Sequence, residues 1–465
     1  MADHRRPYDV LIIGGGNAAL CAAITAGRAG ARVLVLESAT KDFRGGNSRH
    51  TRDIRYMHRA ATEFVTAAYG EEEFWQDLLG VTGGATDERL ARLVIRESET
   101  LGDWMASSGV HWQKPLRGTL HLSRSNLFML GGGKAMINAY YDTAAKLGVE
   151  IHYETEVQEL NLRDGEFVSA VAVRDGAGRA IEAKTIVVAS GGFEANIPWL
   201  KEYWGEAAEN FIIRGTKNNQ GVLLKELLKH GARPEGDPRG CHAVALDARA
   251  PKFDGGIVTR LDSVPFGIVV NKEVKRFYDE GEDFWPKRYA IWGKLIAEQP
   301  EQIAYSIVDS NALPRFMPSV FPPLEAGSIA ELATALEIDS RALVAVVDEF
   351  NRSVRAGEFD PGSLDDCHTE GLTPPKSHWA KAIDSPPYYG YPLRPGITFT
   401  YLGVAVDEQA RVIMQNDTPA KNIFAAGEMM AGNILGRGYL AGFGLTIGSV
   451  FGRIAGREAA RHAGF

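Results

Sequence analysis

The stretch DVLIIGGGNAALCAAITAGRAGARVLVLE, residues 9–37, decides the fold class. Its two β-branched runs flank a glycine-rich turn and an alanine-rich stretch, which predicts a βαβ unit. Gly14, Gly16 and Ala19 have the GxGxxG/A spacing, which permits a tight turn, close approach of a pyrophosphate and close helix packing. Glu37 ends the second strand, where a carboxylate binds ribose hydroxyls and repels a 2′-phosphate. The stretch predicts a site for an adenine dinucleotide without that phosphate. The alternative is a packing unit with a coincidental glycine cluster.

The composition bounds the class of protein. The 465 residues are 45% hydrophobic and 24% charged and include 51 glycines, which is an ordinary globular composition that excludes disorder, collagen and coiled coil. The length suggests two large domains or about three smaller ones. With 51 Lys and Arg against 59 Asp and Glu, the formal charge is −8. We therefore expect no nucleic-acid partner and no direct membrane insertion.

The cysteines and the N-terminus bear on the compartment. Cys21, Cys241 and Cys367 are far apart in sequence, which argues against a zinc or iron–sulfur site and predicts no bound metal. Basic residues at 4–6 precede an uncharged stretch at 10–27, but glycines divide that stretch into a strand and a helix. It therefore does not form a continuous apolar segment of about 20 residues. We expect a cytoplasmic protein.

A basic segment at residues 44–59 is the place where an anion could bind. It contains five arginines, two histidines and one acid. The alternative is a solvated positive surface loop, which is what most charge runs are.

The remaining chain divides into three parts. A buried strand ends in Ser190, Gly191 and Gly192, where a ligand could approach the backbone closely. Between about 236 and 375, prolines, tryptophans and interspersed charges indicate a second α+β domain. After 386 the α/β pattern returns, with a strand ending at Gly427 and Glu428 and a glycine-rich helix at 442–456. We predict domains at 1–237, 238–379 and 380–465, with the middle one inserted into the first.

Several motifs together resemble the fumarate reductase/succinate dehydrogenase flavoprotein family. They are the glycine-rich turn with its acid, GGNS at 45–48, IVVASGGFEAN at 186–196, GIVVNKEVKRFYDE at 267–280 and NIFAAGE at 422–428. Within the family, GGNSRHTRDIRYMH and AGNILGRGYLAGFG are most similar to the FAD-dependent tricarballylate dehydrogenases. The flavin domain of a cobalamin-ring-contraction oxygenase is similar too. The resemblance implies an α/β fold, with a Rossmann-like FAD-binding domain and an inserted α+β capping domain.

The resemblance also implies the FAD contacts. Ser48 stands where the membrane-bound relatives carry a histidine that bonds covalently to FAD, which implies noncovalent flavin. By matching position and neighbourhood, the FAD contacts are Gly14, Gly16, Asn17, Ala18, Ala19, Glu37, Ser38, Gly45, Gly46, Asn47, Ser48, Val157, Ser190, Gly191, Gly192, Gly427, Glu428, Gly444 and Leu445.

The same resemblance supplies candidates for catalysis. Arg288 corresponds to the family's proton-carrying arginine, with Lys287 as a rival, His242 to a carboxylate-binding histidine, and Arg437 is nearest to a late arginine. An arginine acts as a base only when it is desolvated or held beside other cations. The alternatives are a structural ion pair for Arg288, a loop histidine for His242 and a helix-end contact for Arg437.

The sequence departs from the fumarate reductases around the substrate. Arg260 and Ser263 replace a proton-relaying glutamate and arginine, and 398–400 replaces a second histidine. A tricarboxylate substrate would bring three negative charges into a low-dielectric site. Such a site requires several arginines, because guanidinium binds carboxylate bidentately and stays charged. Our candidates for substrate contacts are Arg49, His50, Arg52, Thr400 and Tyr401, although His50 could be a loop histidine and Tyr401 a packing aromatic.

We therefore expect an FAD-dependent dehydrogenase that oxidises a C–C single bond of a polycarboxylate, with tricarballylate to cis-aconitate as the specific hypothesis. Hydride would pass to flavin N5 and the proton to an arginine. The alternatives are an enoate or fumarate-type reductase, a ketosteroid-type dehydrogenase, or the flavin component of an oxygenase acting on a cobalamin precursor. The resemblance implies a separate membrane-associated iron–sulfur protein as electron acceptor.

Overall fold

The computed structural model describes residues 7–115 and 122–465. Its larger sheet has the strand order Arg411–Ile413, Pro419–Ala425, Ala177–Val188, Tyr8–Ile13, Val33–Leu36, Glu150–His152, with Glu156–Arg163 and Glu166–Arg174 forming an antiparallel extension. The five strands from Pro419–Ala425 to Glu150–His152 are parallel to one another. Because parallel strands end on the same edge, the loops that follow them meet there. This edge positions the site.

The βαβ prediction is confirmed. Tyr8–Ile13, helix Asn17–Arg28 and Val33–Leu36 follow one another, and the two strands pair in parallel. The glycine-rich helix extends over Phe443–Ala463. A β-carbon at Gly452 would lie 2.4 Å from the carbonyl oxygen of Ala18, and one at Gly456 would lie 2.3 Å from that of Ala22. These glycines therefore let the first and last helices pack closely.

A turn divides the alternating stretch at residues 149–160. The alternating stretch VEIHYETEVQEL forms two strands, Glu150–His152 and Glu156–Arg163. Between them Glu154 has a φ of 53°. Its amide donates to the Ala39 carbonyl oxygen, and the next amide donates to that of Glu37. The chain turns there because the loop after Val33–Leu36 binds its backbone.

The smaller sheet is formed mainly by the middle of the chain. Its long strand Tyr388–Thr400 pairs with Ile212–Ile213, Cys241–Asp247, Ala304–Asp309 and Leu324–Ala326, and Ile268–Asn271 pairs with Ala304–Asp309. This sheet extends past both limits of the predicted middle domain, 238 and 379, because the long strand and Ile212–Ile213 lie outside them. The long strand connects the smaller sheet to the C-terminal part of the larger one.

The helices surround both sheets. A three-stranded sheet of Asp53–Arg55, Trp112–Gln113 and Asn126–Met129 lies apart. The α-helices are Asn17–Arg28, Glu71–Thr82, Glu88–Glu97, Leu101–Ala106, Leu122–Ser125, Gly132–Lys146, Ile197–Trp204, Val222–Lys229, Trp285–Arg288, Trp292–Ala297, Ile329–Ala335, Ser340–Ser353 and Phe443–Ala463. Within the described ranges, no helix combines the length and the apolar character needed to span a membrane.

Candidate active site

One continuous cavity extends from the glycine-rich turn at the edge of the larger sheet to the smaller sheet. At one end its wall includes Gly14–Ala18 and Glu37–Ala39, and at the other it includes Arg214, His242 and Arg260. We call the first end the dinucleotide half. The second is the arginine half, which consists of Arg52, Arg214, His242, Arg260 and Tyr289.

The glycine-rich turn shapes the dinucleotide half. Gly14 has a φ of 105°, and a β-carbon there would lie 2.4 Å from the Ala189 carbonyl oxygen, so only glycine fits. Helix Asn17–Arg28 then begins at Gly16 without a side-chain cap. The amide of Asn17 donates to the Ser48 hydroxyl at 3.1 Å. A helix N-terminus facing a cavity favours an anionic group such as a pyrophosphate.

Glu37 is the acid of this half. It is 5% exposed, and its Oε1 accepts a hydrogen bond from the Ala39 amide at 2.8 Å. A β-carbon at Gly15 would lie 2.2 Å from its Oε2, so glycine makes room for the carboxyl group. Burial raises the pKa of Glu37. The group lies on the cavity wall, where it can accept hydrogen bonds from a ligand's hydroxyls.

Three arginines from separate segments meet in the arginine half. Arg52 comes from the basic segment, and Arg214 follows the short strand Ile212–Ile213. The backbone of Arg260 forms an isolated antiparallel β-bridge with Leu246. Arg260 Nη2 donates to Asp262 Oδ2 at 2.8 Å. Within the described ranges, neither of the other two has a carboxylate within ion-pair distance. Such a cluster attracts an anionic ligand.

Arg214 is the least satisfied of the three. Its side chain is buried, and neither Nε nor Nη1 has a hydrogen-bond partner among the described residues. Burial, with the neighbouring Arg260, lowers the pKa of Arg214 to about 10. A buried donor without a partner is costly, and groups of this kind point to a missing ligand. The Nε and Nη1 atoms of Arg214 are therefore available to hydrogen-bond a group that enters the cavity.

A β-bulge aims His242 at this cluster. The register between Cys241–Asp247 and the long strand shifts between His242 and Ala243, which leaves Thr398 without a direct partner in that ladder. Bulges redirect side chains next to functional sites. His242 Nδ1 lies 3.1 Å from Thr398 Oγ1, and its Nε2 lies 3.0 Å from Tyr289 Oη.

Burial and the nearby guanidinium groups act on His242 and Tyr289. Burial, Arg214 and Arg260 hold the pKa of His242 well below its usual value, so the ring is neutral at neutral pH. Burial raises the pKa of Tyr289 to about 12, so its hydroxyl is protonated. The cationic charge of this half therefore resides on the arginines, while the histidine and tyrosine provide neutral hydrogen-bonding groups.

Almost the whole chain matches a known protein family. Residues 9–445 match the FAD binding domain family. The chain belongs to this family. Its cofactor is FAD, and the proteins to which it is similar include fumarate reductases and a 4-oxocyclohexanecarboxylate dehydrogenase.

Two relatives and one solved structure illustrate the range. The chain is 26% identical over 474 residues to the NADH:fumarate oxidoreductase of Klebsiella pneumoniae (strain 342). The matched region covers 98% of this chain and 48% of that protein. It is 25% identical over 558 residues to the 4-oxocyclohexanecarboxylate 2-dehydrogenase of Sinomonas cyclohexanicum, covering 99% and 94%. The open conformation of a flavocytochrome c3 fumarate reductase matches with a TM-score of 0.77 at 23% identity, covering 100% of this chain and 80% of that one. The chain thus spans about half the length of the first relative.

The dinucleotide half of this flavoprotein fits FAD. Gly46 lies on the cavity wall, and a β-carbon there would meet nothing within 4 Å, which leaves open space beside the backbone. Of the predicted FAD contacts, those on the wall are Gly14, Gly16, Asn17, Ala18, Glu37, Ser38, Gly46, Asn47, Ser48, Val157, Ser190, Gly191, Gly427, Glu428, Gly444 and Leu445.

Three predicted FAD contacts lie behind the wall. Ala19 is fully buried in the first helix, and Gly45 packs against Ile137, where a β-carbon would lie 2.7 Å from Cγ2. Gly192 adjoins Glu428, with a β-carbon there lying 2.2 Å from Oε1. These small residues make room for neighbouring groups and do not line the cavity.

The basic segment does not converge on the cavity. Of its five arginines, Arg52 alone lies on the wall. Arg49 donates to the Asp42 carbonyl oxygen and lies over the Phe43 ring, and His50 Nε2 lies 2.9 Å from Asp254 Oδ1. Short 3₁₀ turns direct these two side chains away from the cavity, so the structure departs from our placement of Arg49 and His50 there.

Four other predicted site residues also lie off the wall. Arg288 Nη2 pairs with Glu282 Oε1 at 3.2 Å, and Arg437 Nε donates to the Thr82 carbonyl oxygen at 3.0 Å. Tyr401 Oη donates to the Gly438 carbonyl oxygen, and the Thr400 hydroxyl donates to Glu428 Oε1. Each side chain contacts another part of the protein, although Arg288 Nε is buried without a hydrogen-bond partner among the described residues. His242 and Arg52 remain on the wall.

Sequence reasoning missed Arg214 and Tyr289 as wall residues and gave no substrate role to Arg260. Arg214 lies in a segment without a recognisable motif, IIRGTKNNQG. Tyr289 directly follows Arg288, the residue that the resemblance selected. The short helix Trp285–Arg288 ends there and brings the tyrosine, not the arginine, to the wall.

Proposed function

We propose that this flavoprotein oxidises a C–C single bond of a polycarboxylate to the alkene, with tricarballylate to cis-aconitate as the first candidate reaction. One observation carries the proposal. Arg52, Arg214 and Arg260 reach the same cavity as the FAD site from three separate segments. Guanidinium groups bind carboxylates bidentately and keep their charge when buried.

The number of free cations fits more than one carboxylate. Arg260 is neutralised by Asp262, whereas Arg52 and Arg214 have no carboxylate partner among the described residues. Arg52 Nη1 lies 3.3 Å from the Met317 sulfur. Arg214 is buried and Arg52 is half-buried, and unpaired charges in such positions are unfavourable unless an anion enters. A substrate with two or more carboxylates satisfies both.

His242 adds a neutral contact. Because its pKa is well below neutral, the ring carries one N–H and one acceptor nitrogen. The Thr398 and Tyr289 hydroxyls hold both nitrogens in place. In the proposed site, His242 orients the Tyr289 hydroxyl, which hydrogen-bonds the substrate while the arginines supply charge.

The proton needs an acceptor. When FAD is bound, its N5 supplies the hydride acceptor. Arg214 meets the two conditions for an arginine base, since it is desolvated and lies beside other guanidinium groups. Arg288 is paired with Glu282 away from the wall. We therefore assign proton removal to Arg214, in place of Arg288: its deprotonated form, which the lowered pKa favours, accepts the proton, and the guanidinium so formed pairs with a carboxylate.

A second candidate is the oxidation of a cyclic keto acid. Aromatic residues Phe399, Tyr289 and Tyr439 line the arginine half, and they could pack against a ring. The Sinomonas cyclohexanicum relative acts on 4-oxocyclohexanecarboxylate by its name. This candidate needs one carboxylate contact, whereas the cluster offers more.

An anaerobic absorbance titration of the FAD-loaded protein tests the function. The compounds are tricarballylate, succinate, 4-oxocyclohexanecarboxylate and a 3-ketosteroid. Bleaching of the oxidised-flavin band by tricarballylate alone supports the proposal. Bleaching by the cyclic compounds alone favours the second candidate, and a protein that no compound bleaches would return the assignment to a reductase or an oxygenase component. The membrane-associated iron–sulfur acceptor and the cytoplasmic location stay predictions.

A further inference from the structure

Two glutamates, Glu194 and Glu428, form a buried pair beside the dinucleotide half of the cavity. Glu194 is fully buried and Glu428 is 8% exposed. The Glu428 carboxyl lies on the cavity wall, and Glu194 lies behind it. A β-carbon at Gly192 would lie 2.2 Å from Glu428 Oε1, so the glycine leaves room for the carboxyl group.

Uncharged groups surround the pair. Glu194 Oε1 accepts hydrogen bonds from the side-chain amides of Asn47 and Asn219, each at 2.5 Å. Glu428 Oε1 accepts from the amide and the hydroxyl of Thr400, at 2.7 and 2.9 Å. Across the described parts of the chain, no lysine, arginine or histidine forms an ion pair with either carboxyl. No cation offsets a second negative charge.

The second carboxyl oxygen of Glu194, Oε2, indicates where the shared proton is received. Glu194 Oε2 is buried, and no nitrogen or hydroxyl among the described residues donates to it. The two carboxyl groups are within hydrogen-bonding reach of each other. Two ionised carboxylates cannot hydrogen-bond, because neither has a donor. Burial raises the pKa of both groups. The Glu194 carboxylate raises the pKa of Glu428 further, whereas a hydrogen bond from Glu428 favours the ionised form of Glu194, so Glu428 holds the proton and donates it to Glu194.

We propose that Glu194 and Glu428 share one proton, and that Glu194 thereby sets how the reduction potential of the bound FAD depends on pH. Glu194 is a positioning residue, because it acts on the cofactor through Glu428. The inference rests on FAD binding alone and is independent of the proposed substrate.

The coupling follows from charge. At low and neutral pH the pair carries one negative charge, and at high pH it loses the shared proton and carries two. A reduced flavin that gains negative charge is disfavoured by the second carboxylate. Within the window where the pair titrates, two-electron reduction by an added reductant therefore takes up one extra proton from solvent, which binds between the carboxyls. Reduction outside that window takes up no such proton.

The carboxyl pair also connects to the arginine half. Asn47 Nδ2 donates both to Glu194 and to the Thr398 carbonyl oxygen, and the Thr398 hydroxyl contacts His242. Asn47 Oδ1 accepts from the Thr216 amide, two residues after Arg214. The Asn47 side chain thus connects the pair by hydrogen bonds to the segments that carry His242 and Arg214.

The test is potentiometry of the FAD-loaded protein from pH 5 to 10, with dithionite as reductant and no substrate. The wild type should show a segment where the potential falls more steeply with pH, by one additional proton per two electrons. Glu194→Gln should bind FAD and lack that segment, because it removes the carboxylate that keeps the proton on Glu428, so the site carries one negative charge throughout the titration. Glu226→Gln is the matched control, since Glu226 is a buried glutamate off the cavity that accepts from the Leu160 amide.

Glu428→Gln provides a second variant if Glu194→Gln fails to fold, and it should remove the same segment. The absorbance of oxidised FAD, titrated with pH, provides a second readout of the same ionisation. A wild-type profile without a steeper segment overturns the proposal. So does a steeper segment that persists unchanged in a folded Gln variant at either position.

Discussion

The two halves of the cavity are built in different ways. The dinucleotide half begins with one continuous stretch, in which Gly14, Gly16 and Glu37 lie within a single βαβ unit. The arginine half is assembled from Arg52, Arg214 and Arg260, which lie on a loop, after a short strand and beside a β-bridge. The first half can be read locally because backbone geometry dictates it. The second depends on tertiary contacts between distant segments.

The largest expected effect is at the glycine-rich turn. Gly14→Val should raise the dissociation constant of FAD by about 1,000-fold, or roughly 4 kcal/mol. A β-carbon there would lie 2.4 Å from a backbone oxygen, at a φ of 105° that valine avoids. Fluorescence titration of apoprotein with FAD measures the change. Gly80→Ala is the control, because a β-carbon at Gly80 meets nothing within 4 Å; tight FAD binding by the valine variant would refute the local origin of this half.

The next effect separates the arginines of the cavity from those of the surface. Arg214→Gln should slow anaerobic bleaching by tricarballylate about 1,000-fold, in the range of general acid–base effects. FAD affinity should stay the same, because Arg214 lies in the arginine half. Stopped-flow absorbance gives the rate. The matched control Arg49→Gln removes a half-buried arginine that lies off the cavity wall and should change the rate less than about twofold. Equal losses in the two variants would show that the cluster has no special role.

The pH dependence of stability gives a smaller effect from the same half. The pKa of His242 in the folded protein lies below the unfolded value of about 6.5, so the unfolded chain binds more protons below that pH. The His242 contribution to stability is therefore present above about pH 6.5 and is lost as pH falls towards the folded pKa, at up to about 1.4 kcal/mol per pH unit.

Chemical denaturation of the wild type and of His242→Gln, from pH 5 to 8, measures this contribution. The two free energies of unfolding should converge as pH falls below about 6.5, because glutamine does not titrate. Parallel curves would mean that the ring titrates alike in both states, and that the arginines exert no field on it.

The smallest effect is expected at Arg288. Its guanidinium pairs with Glu282 and lies off the wall, so Arg288→Gln should change the bleaching rate by less than about threefold. The same stopped-flow measurement used for Arg214 applies. Complete loss of bleaching with FAD still bound would restore the proton-carrying role to Arg288 and would contradict the assignment to Arg214.

Sequence reasoning recovers what short-range geometry dictates. Gly14, Glu37 and Gly46 were identified because a tight turn, a strand end and a family motif each mark them within a few residues, and all three line the cavity. Arg214 carried no such mark. Its position depends on the pairing of Ile212–Ile213 with a strand almost 200 residues later.

The arginine-rich segment shows the opposite error. Five arginines within 44–59 suggested a binding cluster. Arg55 instead bonds to the Ala441 carbonyl oxygen and the Tyr69 hydroxyl inside the protein, and Arg59 pairs with Glu99 at the surface. Proximity in sequence did not place these side chains together, because neighbouring residues on turns and short strands point in different directions.

The central claim is that carboxylates are recognised by the arginine half beside FAD. The most direct measurement compares anaerobic flavin bleaching by tricarballylate with bleaching by its uncharged trimethyl ester, which has the same carbon chain. The account predicts bleaching by the acid and none by the ester at the same concentration, because the ester cannot pair with Arg52 and Arg214. Equal bleaching by both compounds would contradict it.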